Sequence, residues 1–311
     1  MSGGADRVAI DLGGTKIRAA RLSPEGQPHP PVDVATPTKG LRALLDAVTA
    51  AVEGCRGATG NATVEQVIGL GMPGVIDQRT GLLTRCQNIP SAEGAAIHRL
   101  MASRLGAEVR LDNDVNLAAV GEQVAGSAAG TDDLVVLSLG TGVGAGIVSH
   151  GQLLRGARGL AAEIADLPLF GDPWDPATRR QGTLERAIGS VGLLDAYHAA
   201  GGSLHVDTVE ALVARPDADA VLTTFARQVA VTILALQALV DPAVVVLTGG
   251  IGAAPSIAAR VRTATRDLLG PVPEVQVSAL GAMAGLHGAA ALALGTIPPW
   301  VVARPEQVPG G

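Results

Sequence analysis

A glycine-rich hairpin that occurs twice constrains this chain more than any other feature. Residues 8–12 form a short apolar run with Asp11 near its end, and Gly13-Gly14-Thr15 bends the chain. Residues 17–22 then resume an extended apolar pattern until Ser23-Pro24-Glu25-Gly26 turns it again. The same order returns with residues 134–139, the bend Gly140-Thr141-Gly142-Val143-Gly144, residues 145–148 and the turn His150-Gly151. The chain has 311 residues, a length that fits about two domains. Two copies of one unit in that length predict an internal duplication at domain scale.

The rest of the pattern alternates. Apolar residues at helical spacing over 41–52 precede a buried-strand run at 67–70, which ends in Gly71-Met72-Pro73-Gly74. A helix closes over 100–105. A strand at 109–111 then runs into Asp112-Asn113-Asp114, and 115–124 is helical. Beyond the second hairpin come a long apolar helix at 221–240 stopped by Asp241-Pro242, a strand at 244–247, the loop Thr248-Gly249-Gly250 and a helix at 256–268. A small-residue helix spans 282–294, and the tail from Thr296, with prolines at 298, 299, 305 and 309, reads as irregular. Strands alternating with helices predict an α/β class with two sheets. The core has to be aliphatic, since hydrophobic residues make up 47% of the chain and aromatics only 2%.

Several function classes fall away. A net charge of -6 is a poor basis for gripping a polyanion, and almost no aromatic faces are available for stacking bases, so no nucleic acid is expected. Two cysteines, Cys55 and Cys86, are too few for a four-thiolate zinc site or a disulfide framework, which points to a reducing cytosol. No uninterrupted apolar run reaches about 18 residues, so no membrane span is expected. The first strand-like run begins within eight residues of the start, leaving no room for a leader. The expectation is a soluble, cytoplasmic protein.

Chemistry can sit in both bends. Glycines leave backbone N–H groups free to face an anion, Thr15 and Thr141 add hydroxyl donors, and a strand-end carboxylate such as Asp11 can hold Mg²⁺ through waters. An ordinary hairpin turn explains either bend alone. Neither is a P-loop, and the loose Gly-x-Gly-x-x-Ala match at 140–145 is followed by extended residues where a dinucleotide fingerprint needs a helix. Two phosphate-type loops in two halves point to a nucleotide gripped by both. Asn113-Asp114 stands where a strand gives way to a helix. Either residue caps a helix well, and a carboxylate there can also take the proton of an attacking hydroxyl; the two roles are compatible. The histidines show no ligand spacing.

Taken together, these motifs resemble the ROK family of sugar kinases and repressors. Asp11-Leu-Gly-Gly-Thr-Lys16 is similar to that family's first phosphate loop, Gly69-Leu-Gly-Met-Pro-Gly74 to its turn beside the sugar, and Gln87-Asn88-Ile-Pro90 to its Pro-Asn segment. Leu111-Asp-Asn-Asp-Val-Asn116 resembles the stretch carrying the catalytic base, Leu137-Ser-Leu-Gly-Thr-Gly-Val-Gly144 the second phosphate loop, and Val246-Leu-Thr-Gly-Gly-Ile-Gly252 the adenosine loop. The resemblance implies the actin-like ATPase (ribonuclease H-like) fold, with two α/β domains and a cleft between them. The smaller domain is expected at 1–113 plus 282–311 and the larger at 114–281. The implied activity is transfer of the ATP γ-phosphoryl group to a hydroxyl of a hexose or hexose-like substrate, as in glucokinases. Asp114 would be the base. Gly74, Asn88, Asn113, Glu163, Asp166 and Glu185 would bind the acceptor. Gly13, Gly14, Thr15, Lys16, Gly140, Thr141 and Gly142 would hold phosphates, Gly249 and Gly250 would admit adenosine, and Asp11 would hold Mg²⁺ through water. A homodimer is common in the family and is expected here.

The departures from the family pattern are equally specific. Ala162-Glu163-Ile164-Ala165-Asp166 keeps the sugar-contacting Glu but puts Asp166 where the family has a His that touches both zinc and sugar. The zinc cysteines are absent, with Thr183 at one of their positions, so no structural zinc is expected. Residues 168–180, including Trp174, are expected to pack in the zinc loop's place. An ionised Asp166 only accepts hydrogen bonds, which implies an acceptor with a hydroxyl pattern unlike glucose. The alternatives are a kinase of a C7-cyclitol or other sugar-like polyol, a polyphosphate-dependent donor reaction that the acidic balance disfavours, and a non-catalytic sugar-sensing regulator. Regulators of the family carry an N-terminal helix-turn-helix ahead of the first loop, whereas here that loop begins at Asp11.

Overall fold

The computed structural model describes residues 6–37, 39–56, 66–86, 89–176, 178, 182–268 and 273–305. They form two compact units. The first comprises Met1–Ala125, Arg155–Ala161 and Met283–Gly311, and the second comprises Gly126–Leu154 and Ala162–Ala282. This division differs from the expected boundary. The helix that begins at Asp114 groups with the first unit, because it packs on the last helix of the chain. The short excursion 155–161 also joins the first unit, which is not the smaller of the two.

The first unit is built on a six-stranded sheet. Its strands are β1 (Asp6–Leu12), β2 (Lys16–Arg21), β3 (Val32–Ala35), β4 (Gln66–Met72), β7 (Glu108–Asn113) and β13 (Val301–Ala303), in the order β13-β7-β4-β1-β2-β3. A small hairpin of β5 (Val75–Ile76) and β6 (Leu83–Thr84) follows β4. β1, β4 and β7 are parallel to one another, while β2, β3 and β13 are antiparallel to their neighbours. Every residue of β4 is buried, as expected of a central parallel strand covered on both faces. On one side lies α1 (Leu41–Arg56), whose buried Leu44, Val48, Ala51 and Val52 fall on one helical stripe, together with α2 (Ile97–Leu105). Against the other lie α3 (Asp114–Ala125) and the final helix, Ala284–Leu294. The Gly- and Ala-rich composition of that last helix has a packing cause. A Cβ on Gly288 would lie 1.8 Å from the Leu117 carbonyl oxygen of α3, so the two backbones touch where any side chain would separate them. The tail from Thr296 is not wholly irregular, since Val301–Ala303 adds an antiparallel strand beside β7 despite the prolines around it. An edge position accommodates that arrangement.

The second unit repeats the plan in a five-stranded sheet. Its strands are β8 (Leu134–Leu139), β9 (Val143–Ser149), β10 (Gln152–Leu153), β11 (Val244–Thr248) and β12 (Glu274–Val277), in the order β10-β9-β8-β11-β12. β8 pairs antiparallel with β9 and parallel with β11, just as β1 pairs with β2 and with β4. The duplicated hairpin therefore occupies the same place in both sheets. Helices α4 (Thr183–Ile188), α5 (Ser190–Ala199), α6 (Asp219–Val240) and α7 (Pro255–Leu268) contribute to its core, and the last helix of the chain is α8 (Ala284–Leu294). Asp241, in left-handed conformation, stops α6. By length and composition alone α6 could cross a membrane. In this fold it is a core helix, burying Leu222, Phe225, Val229, Ile233 and Leu236. Trp174 does not pack in place of a zinc loop: it is 83% exposed, while Leu167, Leu169 and Phe170 just before it lie against the core.

Candidate active site

In the first unit, strand register gathers the sequence-predicted residues. Asp11 pairs with Gly71, Gly71 with Asp112, and Met72 with Asn113, so the C-terminal ends of β1, β4 and β7 finish in a row. Ligands in open α/β sheets bind at such ends. Asp114 is the first residue of α3. Asn113 caps that helix, its Oδ1 accepting from Val115 N at 2.9 Å and Asn116 N at 3.1 Å. Its Nδ2 donates to the Gly74 carbonyl at 3.1 Å, tying the capping residue to the turn after β4. Asp114 Oδ1 also accepts from Val115 N at 2.9 Å, and the α3 N-terminus favours a negative charge there. Beneath this turn Cys86 Sγ donates to the Pro73 carbonyl at 3.3 Å, and burial pushes its thiol up to about 11, which leaves it unreactive. Asn88 lies outside the described residues.

The first bend is held from the side. Gly13 N donates to the Lys16 carbonyl at 2.9 Å, Thr36 Oγ1 donates to the Gly13 carbonyl at 2.7 Å, and Thr36 N donates to the Thr15 carbonyl at 3.0 Å. Gly14 and Thr15 are exposed. Lys16 Nζ lies 3.0 Å from Asp33 Oδ2, a carboxylate that also takes Arg18 Nε at 2.9 Å. Asp11 stands against α8. A Cβ on Gly285 would come within 2.9 Å of both its carboxylate oxygens, so only glycine leaves room for them. Burial pushes the Asp11 carboxyl up to about 6, with Arg18 pulling the other way.

The second unit gathers the remaining residues. Ser138 pairs with Thr248 across β8 and β11, which brings the bend at 140–142 and the loop at 249–250 to the C-terminal end of these two strands. Gly249 and Gly250 open a single helical turn directly after β11. Glu185 Oε2 accepts from Val143 N at 3.0 Å, and Ser190 N donates to the Gly140 carbonyl at 3.0 Å. The start of α4 packs on the short helical turn Ile164–Asp166, where Thr183 Oγ1 donates to the Asp166 carbonyl at 3.1 Å. Glu163 immediately precedes that turn. Burial raises the Glu185 carboxyl; the Val143 N–H lowers it in part and the Asp166 charge raises it further. Among the described residues no group of three or more His, Cys, Asp or Glu is arranged to hold a metal.

Sequence reasoning passed over three residues here. Asp112 lay inside a quoted motif without a role, and its neighbours Arg155 and Trp300 are remote in sequence and carry no local signal. Arg155 Nε donates to Asp112 Oδ2 at 2.7 Å, and its guanidinium lies 5.9 Å from the Trp300 ring centre.

Comparison with known proteins bears on the whole chain. A family model described as the ROK family matches residues 7–296. A glucokinase from Streptomyces coelicolor is 30% identical over 313 aligned positions, spanning 92% of this chain and 96% of that protein. An N-acetyl-D-glucosamine kinase from Photobacterium profundum is 28% identical over 255, spanning 78% and 83%. Among solved structures, a ROK family glucokinase from Streptomyces griseus in complex with glucose and AMPPNP matches with a TM-score of 0.79 and 28% identity, over 94% of this chain and 100% of that one.

Proposed function

The chain belongs to the ROK family, and on that premise we propose that it is an ATP-dependent sugar kinase acting on a hydroxyl of a hexose or hexose-like acceptor. Its fold is the actin-like ATPase fold of the family's kinases. The observation that carries the reading is the end of β7. There an Asn-capped helix presents Asp114 beside the Gly74 turn, one strand over from β4 and two from Asp11.

The chemistry follows from these groups. The acceptor oxygen attacks the γ-phosphorus, the bond from that phosphorus to the β-bridging oxygen breaks, and ADP leaves. Asp114 takes the hydroxyl proton. Asn113, Asn88, Gly74, Glu163, Asp166 and Glu185 orient the acceptor. The bends at 13–16 and 140–142 offer backbone N–H groups to phosphates, and Gly249 and Gly250 allow adenosine close to the backbone. Mg²⁺, when bound, neutralises phosphate charge. Asp11, a hard oxygen donor desolvated by burial, would hold it through water. No structural zinc enters this reading, since the Thr183 hydroxyl at a family cysteine position is engaged with the Asp166 carbonyl.

Asp166 favours one refinement. An exposed carboxylate at a position where the family has a histidine accepts hydrogen bonds from hydroxyls and donates none when ionised. The natural acceptor therefore carries a hydroxyl pattern different from glucose, and a cyclitol or other polyol belongs on the panel. Coupled ADP release against glucose, mannose, N-acetylhexosamines, fructose and cyclitols tests both levels. At least one acceptor should stimulate release, and Asp114→Asn should cut it by on the order of 10³-fold while leaving the melting temperature within a few degrees. Near-normal turnover in that variant would remove Asp114 as base. A glucose efficiency above all other acceptors would remove the role given to Asp166.

A further inference from the structure

We propose that Arg155 and Asp112 are a positioning pair for the base: the guanidinium neutralises a buried carboxylate, and that carboxylate fixes the turn from which Asp114 is presented. The inference rests on the reading of Asp114 as base.

The geometry is specific. The Asp112 side chain is 2% exposed and that of Arg155 is 11% exposed. One carboxylate oxygen takes Arg155 Nε and Nη2, each at 2.7 Å. The other accepts from Asn113 N at 2.8 Å and Asn116 Nδ2 at 3.1 Å. A single carboxylate thus ties the end of β7, the first turn of α3 and the segment 155–161. Arg155 is itself held, since Nη2 also donates to the Pro298 carbonyl at 2.7 Å and the guanidinium lies over Trp300. Trp300 Nε1 in turn donates to the Ile76 carbonyl at 2.7 Å. Burial alone pushes the Asp112 carboxyl upward, and Arg155 is the charge that opposes this.

The pair acts through the backbone and not by touching the acceptor: the Asp112 side chain is 2% exposed, and each of its carboxylate oxygens already takes two donors from the protein.

Steady-state kinetics on the full-length enzyme, with the best acceptor from the panel, test the pair. Arg155→Met should lower kcat by about 30- to 100-fold, the cost of a displaced base, with KM for ATP within about twofold of the parent. Adding Asp112→Asn to that variant should recover at least about tenfold of the loss, because a neutral amide oxygen still accepts from Asn113 and Asn116 without requiring a counter-charge. Asp112→Asn alone should be impaired, since its amide nitrogen would face the guanidinium. A kcat for Arg155→Met within about threefold of the parent, or no recovery in the double variant, overturns the pair. If Arg155→Met does not fold, Arg155→Lys carries the same test: reduced kcat at unchanged KM for ATP supports the pair, and unchanged kcat overturns it. The two levels separate cleanly. A parent enzyme whose turnover survives Asp114→Asn defeats the base reading and the pair with it. A parent that needs Asp114 but tolerates loss of Arg155 defeats the pair alone.

Discussion

The two glycine bends share a sequence pattern and a place in their sheets, yet they are supported in opposite ways. In the first, the carboxylate belongs to the hairpin's own strand: Asp11 precedes the bend and stands against Gly285 of α8. In the second, Ser138 occupies the corresponding position, and the carboxylate comes from another element, Glu185 of α4, which takes the Val143 N–H. The first bend is braced by neutral hydrogen bonds from Thr36, the second by a charge-assisted one. A duplicated scaffold has thus kept its backbone and redistributed its charge. One copy carries its acid on the hairpin's own strand, while the other takes the acid that braces its loop from a separate helix.

The largest expected effect tests that asymmetry. Asp11→Asn should reduce kcat/KM by on the order of 10²-fold, whereas Ser138→Ala should change it less than about threefold. Comparable losses in both would show that the bends divide the work equally. Next comes Glu185→Ala, which removes both the proposed acceptor contact and the brace on Val143 N, and should raise KM for ATP about tenfold, the worth of one charged hydrogen bond, alongside the acceptor KM. A change confined to the acceptor KM would mean that Glu185 serves the sugar and not the loop.

Acid–base linkage gives a third, smaller effect. The Asp11 carboxyl is raised from 3.8 to about 6 in the folded protein. The metal-free fold is therefore favoured by its neutral form below pH 3.8, and that contribution is lost as pH rises from there through about 6. In chelator at pH 8, Asp11→Asn should melt roughly 2–4 °C above the parent, and the gap should close as pH falls below 4. A constant gap across that range would contradict the burial of this group. The smallest effects concern the braces. Thr36→Val should cost about 1 kcal/mol in chemical denaturation, while Lys16→Ala, which removes an exposed ion pair with Asp33, should cost less than about 0.5 kcal/mol. A larger loss from Lys16 than from Thr36 would reverse the account of what holds the first bend.

Much of this was legible in the sequence because it is local. The paired hairpins, the α/β alternation and the capping geometry at Asn113 and Asp114 all follow from glycine, short polar side chains and apolar periodicity within a few residues. What escaped was set by distant partners. Nothing near Arg155 indicates that it reaches Asp112, and nothing in a proline-rich tail indicates that Val301–Ala303 will pair with β7 or that Trp300 will donate to Ile76. The grouping of α3 with the first unit depends on contacts between Gly288 and Leu117 that join residues far apart in the chain. Trp174 misled for the opposite reason, since a large apolar residue in a loop reads as an anchor until its surroundings are known.

The contrast between Trp174 and Trp300 has a practical consequence. They are the only two tryptophans in the chain. One is almost fully in water, and the other is half-enclosed with a guanidinium close to its ring. Replacing Trp174 by Phe would leave Trp300, beside Arg155, as the one tryptophan, which excitation at the red edge selects over Tyr197. Its emission maximum and quenching would then report, without any label, whether that corner tightens or loosens as ligands are added.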